Sequence, residues 1–127
     1  MRKLCIAVLL LSLLSCGRRD QGELAARVAR ESYNYLLKGK TEAFVDATYR
    51  EHPIPSSYRD QLILAAEMFL EQQDSLHQGI SKISVIRGEL QPDSIHANAY
   101  LLFHYGNGNA EQVVVPMVKN DGKWYLK

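Results

Sequence analysis

At Gly79 the periodicity of this 127-residue chain changes. Upstream, apolar residues recur every three or four positions; from Ile80 onward they recur every second position. The first spacing puts an apolar stripe on a helix, and the second puts an apolar face on a strand. The segments after Gly79 are joined by turns of only a few residues, so consecutive strands pair antiparallel. Helices first and strands second confine the chain to an α+β design, in which N-terminal helices pack on a four-stranded antiparallel sheet.

The helical half divides at its breakers. Asp20 to Lys38 reads as a helix with Ala25, Val28, Ala29, Ser32, Tyr33, Leu36 and Leu37 on its apolar stripe. Asp20 and Glu23 make a capping-box-like start, and Gly39 suits the left-handed residue that ends a helix. A short helix follows, capped by Thr41 and buried through Phe44, Val45 and Ala47. Pro53 and Pro55 interrupt the helical pattern. Ser56 or Ser57 then caps a third helix to about His77, with Leu62, Ala65, Ala66, Phe69, Leu70 and Leu76 as its buried stripe. Gly79 stops it.

Four strands are expected. Ile80–Leu90 carries Gly88 as a candidate bulge. Ile95–Tyr105 alternates most cleanly: Ile95, Ala97, Ala99, Leu101, Phe103 and Tyr105 point one way, and His96, Asn98, Tyr100, Leu102 and His104 the other. Ala110–Lys119 is apolar on both faces through Val113, Val114, Val115, Met117 and Val118, as in a central strand or one at a subunit contact. Lys123–Leu126 closes the sheet after Asn120-Asp121-Gly122, with Trp124 and Leu126 on one face and Tyr125 on the other.

The N-terminus is a different kind of segment. Arg2 and Lys3 precede an apolar run from Leu4 to Leu14, the layout of a secretory signal peptide. The run is shorter than the roughly 20 residues that span a bilayer core. It ends Leu13-Leu14-Ser15-Cys16-Gly17, which resembles the lipobox of bacterial lipoproteins. That resemblance implies acylation of the Cys16 thiol, cleavage before Cys16, and an anchor of two or three acyl chains that holds stably where one chain does not. The expected division is a signal peptide at 1–15, a lipidated Cys16 with a short tether at 16–21, and a single α+β domain at 22–127. Gly17 is not acidic and no acidic run follows Cys16, which by analogy with lipoprotein sorting places the protein in the bacterial cell envelope, on the outer membrane facing the periplasm.

Losing Arg2 and Lys3 would leave 13 basic against 14 acidic residues. A domain so nearly neutral has no electrostatic pull toward nucleic acid. Cys5 lies in the discarded run, so Cys16 is the one cysteine left, and neither an internal disulfide nor a Cys-rich zinc site is available. His96 and His104 share a strand face about 26 Å apart and cannot share a metal. His52 falls in the proline loop and His77 at a helix end, where it suits the helix dipole. No phosphate loop, nucleophile elbow, His-Glu zinc motif or dinucleotide fingerprint occurs, so no cofactor, metal or catalytic residue is assigned.

The order of elements, together with Tyr35-Leu36-Leu37-Lys38-Gly39-Lys40, Ser57-Tyr58-Arg59-Asp60-Gln61-Leu62, Phe69-Leu70-Glu71-Gln72-Gln73 and the closing Val118 to Leu126, resembles the nuclear transport factor 2-like superfamily. More narrowly it resembles small lipoproteins of unknown function found in Bacteroidales. The resemblance implies a cone of helices laid in a curved sheet, and it transfers no catalytic residue. The superfamily includes isomerases and dehydratases that place a base in the cone. Here Asp46 and Glu67 are candidate bases, though their neighbours suggest exposed helix faces. Ala97, Ala99 and Tyr105 mark either a small pocket or close helix-on-sheet packing. Tyr100, Leu102, His104 and Val114 mark either a half-exposed sheet face or a contact surface through which two copies pair. The expected function is a membrane-anchored, non-enzymatic binding or assembly module; the alternative is a small-molecule isomerase or dehydratase using the cone.

Overall fold

The computed structural model describes residues 2–127, with side chains from Arg18 onward. The Cys16 thiol and the expected cleavage site lie outside the described side chains. The elements are α1 (Arg2–Leu37), α2 (Thr41–Asp46), α3 (Ser56–His77), β1 (Ile80–Leu90), β2 (His96–Tyr105), β3 (Ala110–Asn120) and β4 (Lys123–Leu126). The strands form one sheet in the order β1-β2-β3-β4, antiparallel throughout and curled into a half-barrel. The architecture is the expected α+β, helices followed by an antiparallel meander. Among the described residues no helix is long and apolar enough to cross a membrane.

Three helix starts differ from expectation. α1 begins at Arg2 rather than Asp20, so Asp20 lies within the helix and caps nothing. The leucine-rich run before it consists of strong helix formers, and the single Gly17 costs only about 1 kcal/mol of helix propensity. Thr41 and Ser56 each fall one position inside their helices. Lys40 and Pro55 take the cap positions without a side-chain hydrogen bond. The carbonyl of Pro55 accepts from the amides of Tyr58 and Arg59 at 3.1 Å, while Thr41 is buried.

α1 lies across the concave side of the sheet on a track of small residues. Ala25, Ala26 and Ala29 face Ala97 and Ala99, all fully or almost fully buried. A Cβ built on Gly88 would stand 1.8 Å from the carbonyl oxygen of Gly22. Gly88 is therefore the point of closest helix–strand approach and not a bulge; the register shifts fall at Ile80/Lys82 and Val85/Arg87. The space beside Ala99 is filled by the helix that it admits.

Leu101, Phe103, Val115, Met117, Trp124 and Leu126 complete the core. Trp124 is 5% exposed, and its indole donates to the Gln21 side-chain oxygen at 3.3 Å. Ile95 precedes β2 and is exposed, because Asp93 turns the chain there by accepting from the amides of Ile95 and His96 at 3.0 Å each. Asp121 and Gly122, at φ 49° and 76°, make the tight turn between β3 and β4. Along the free edge of β4 the Tyr49 amide donates to the Leu126 carbonyl at 2.7 Å and the Leu126 amide donates to the Ala47 carbonyl at 2.9 Å, so the segment after α2 covers that sheet edge.

α3 packs on α2 and meets the sheet lightly, along β1 and through His77. Only Ala66 is buried; Ala65 and Leu76, expected in the stripe, are exposed. The helix thus stands as a separate wall, and a cleft opens between it and the ends of β2 and β3.

Candidate binding cleft at the mouth of the cone

The cleft is built where inward-facing rows of β2 and β3 run out beyond α1. On β2 the row ends Leu101, Phe103, Tyr105. On β3 it runs back through Met117, Val115 and Val113 to Glu111, which pairs with Phe103. Paired residues share a face, so Glu111 points into the cone mouth. The Tyr105 hydroxyl donates to Glu111 Oε2 at 2.6 Å. His77, in the last turn of α3, stacks on the Tyr105 ring with centroids 4.0 Å apart and planes 15° apart. Tyr33 of α1 meets Phe103 edge-on at 5.4 Å. With Phe69, Gln73 and Val113 these residues line a cleft of about 250 Å³.

Burial, then the hydrogen bond and charge of Glu111, push the Tyr105 hydroxyl up to about 12. Tyr105 thus stays protonated and remains a donor. Burial likewise raises Tyr33. The Tyr33 hydroxyl has no hydrogen-bond partner among the described residues and is free for a ligand. Glu111 has one oxygen occupied and the other open. The cleft offers aromatic faces, one carboxylate and the Gln73 amide. It holds no serine, threonine or cysteine, so no ordinary acyl-transfer nucleophile faces it. Its volume lies just below the range of about 300–1,000 Å³ usual for sites that hold a drug-sized ligand.

The residues named from sequence separate. Of the three pocket candidates only Tyr105 lines this cleft. Ala99 is fully buried under α1, and Ala97 borders a different recess of about 260 Å³ beside His96, Asn98 and Met117. Tyr100, Leu102, His104 and Val114 lie together on the opposite, outward face, where Tyr100 pairs with Val114. That face is partly knit by its own contacts: the Arg87 guanidinium lies 3.9 Å over the Tyr100 ring, Tyr100 donates to Glu89 at 3.2 Å, and His104 Nε2 meets Ser84 Oγ at 3.0 Å. Val114 stands 47% exposed.

Neither candidate base enters the cone. Asp46 is held by a two-pronged contact from Arg59 at 3.0 and 2.9 Å, and this guanidinium keeps its carboxyl below the usual range. Glu67 is an exposed α3 residue. The acid at the mouth is Glu111, which sequence reading passed over although it has the parity of Val113, Val115 and Met117. His77 suits the helix dipole by its place at a helix end, and Phe69, Gln73 and His77 recur every four residues, which puts all three on one helix face.

No family model and no curated protein matches the chain. Among solved structures it is similar to a Campylobacter jejuni protein described as an NTF2-like transpeptidase. Identity is 15%, the TM-score is 0.62, and the match covers 79% of this chain and 94% of that one. At that identity the likeness establishes the fold, which is NTF2-like.

Proposed function

We propose that this chain is a lipid-anchored module of the bacterial cell envelope that binds a small ligand at the cone mouth without transforming it. The observation that carries the binding assignment is the Tyr105–Glu111 pair, 2.6 Å apart across β2 and β3 beneath the His77 ring. Such a site suits a planar, partly apolar molecule carrying one hydroxyl or ammonium donor. The ring stacks against the aromatic wall, and the donor reaches the open Glu111 oxygen. A volume of about 250 Å³ admits a small molecule or the end group of a larger one. The lipobox-like Leu13-Leu14-Ser15-Cys16 supports the anchor, with Cys16 as the acylated residue. Placement on the periplasmic side of the outer membrane belongs to the same reading.

Titration of the full chain in non-ionic detergent with tyramine, followed by NMR, tests the site. Saturable shifts at Tyr33, His77 and Glu111 that vanish in Glu111→Gln are expected. No saturable shift with tyramine or phenol would count against binding here.

One observation favours an enzymatic reading. A carboxylate and a phenol in contact within an aromatic recess form an acid–base pair, with Glu111 able to take a proton and Tyr105 to donate one. The name of the Campylobacter jejuni protein lends no support to transpeptidation here, since this cleft has no serine, threonine or cysteine to be acylated. Exchange of the α-protons of a small cyclic ketone in heavy water, catalysed by the chain and lost in Glu111→Gln, would replace the binding reading with proton-transfer chemistry.

A further inference from the structure

We propose that a second cleft, between α1 and β1, binds a phosphate group through arginine side chains. Arg19, Glu23, Arg27 and Arg30 recur every three or four residues and so share one face of α1. With Ile86 and Arg87 of β1 they line a cleft of about 440 Å³, larger than the cone-mouth cleft. Arg87 is already engaged by Glu89 at 3.0 Å and by the Tyr100 ring. Arg19, Arg27 and Arg30 have no ion-pair partner within 4.0 Å among the described residues. The chain as a whole has a formal charge of only +1, so the three guanidinium groups of Arg19, Arg27 and Arg30 against the one carboxylate of Glu23 in the cleft lining are a local concentration. Convergent, unpaired cations in a concave site focus field on an anion. A guanidinium is a planar fork that meets phosphate oxygens two at a time, and a phosphate monoester offers three oxygens with a charge near −2. Three free arginines suit that charge better than a single carboxylate does.

The phosphate could come from a lipid headgroup or from a soluble ester. Arg19 lies three residues after Cys16 on the same helix, an axial rise of about 5 Å. An acyl anchor at Cys16 would therefore hold the open end of the cleft at the headgroup layer, and the headgroup source rests on the anchor reading. Phosphate binding itself does not.

The experiment uses the full chain in non-ionic detergent, titrated with inorganic phosphate at constant ionic strength and followed by the arginine Nε resonances. A parallel arm measures partition onto phosphatidylcholine vesicles with and without phosphatidic acid, whose headgroup is a phosphate monoester. The variant R27Q/R30Q removes two guanidinium groups from α1, and Trp124 fluorescence confirms that it folds. Saturable phosphate shifts of Arg19, Arg27 and Arg30, lost in the variant, are expected. If headgroups are the source, preference for phosphatidic acid vesicles falls about fivefold per arginine removed. Phosphate shifts without a vesicle preference assign a soluble ester. No saturable phosphate response, or equal affinity in the variant, overturns the proposal. Palmitate-analogue labelling reads the anchor separately, so the two failures are distinguishable.

Discussion

Tyr105 and Glu111 carry the site, and their contact has a pH signature. Tyr105 holds its proton to about pH 12 in the folded chain against 10.0 for an ordinary tyrosine. Folding therefore favours the protonated form. The stabilisation is complete below pH 10 and is lost as pH rises from 10 to about 12. Tyrosinate absorbance at 295 nm, as the difference between the chain and Tyr105→Phe, should show this residue ionising well above the ordinary tyrosine value of 10.0. Glu111→Gln should bring it part of the way back, since burial remains. Trp124 makes the second residue-level prediction. It is 5% exposed and bonded to Gln21, so Trp124→Ala should cost about 3–5 kcal/mol in urea unfolding. An unchanged midpoint would contradict its place in the core. The site was only half legible in the chain. Tyr105 stood out as the last inward residue of an unbroken alternation. Glu111 did not, because the apolar residues on both faces of β3 hid which face its parity selected.

Among the elements, the helix–sheet contact is the most constrained. Gly88→Ala would drive a methyl into the Gly22 carbonyl, which is backbone and cannot swing aside. The chain should yield by lifting α1 from β1, with a loss of about 1–3 kcal/mol and a lower melting temperature. A neutral result would mean that the helix sits further from the strand. β1 and β4 have the boundaries that alternation predicts, because in a sheet with one covered face side-chain direction is fixed by parity. Helix ends were less legible. The start of α1 is hidden by the helix-forming leucines ahead of Asp20. The stripe of α3 is shorter than its spacing predicts, because apolar residues at helical spacing do not reveal whether anything covers them; Ala65 is exposed and Leu76 is 62% exposed. Gly88 differs from its expectation as a bulge for a comparable reason, since a glycine in a strand marks either a bulge or a close neighbour, and only the fold tells which.

For the whole molecule, the α+β outline followed from the change of period at Gly79, and the NTF2-like fold is its realisation. Two proposals belong at this scale. Acylation of Cys16 predicts that a palmitate analogue labels the chain and not Cys16→Ala; equal labelling would remove the anchor. Pairing of two copies through the outward sheet face, around Tyr100, Leu102, His104 and Val114, predicts a dimer of Cys16→Ser in sedimentation at micromolar concentration. Such an interface should bury at least about 1,000 Å², and Val114→Glu should dissolve it. A monomer unaffected by that substitution would leave the face as ordinary surface. The central claim is that the cone mouth holds a ligand, and native mass spectrometry of the full chain extracted from its own membranes tests it most directly. A stoichiometric small-molecule adduct, released on denaturation and absent from Glu111→Gln and His77→Ala, is expected. A bare chain, or an adduct retained equally by both variants, would contradict it.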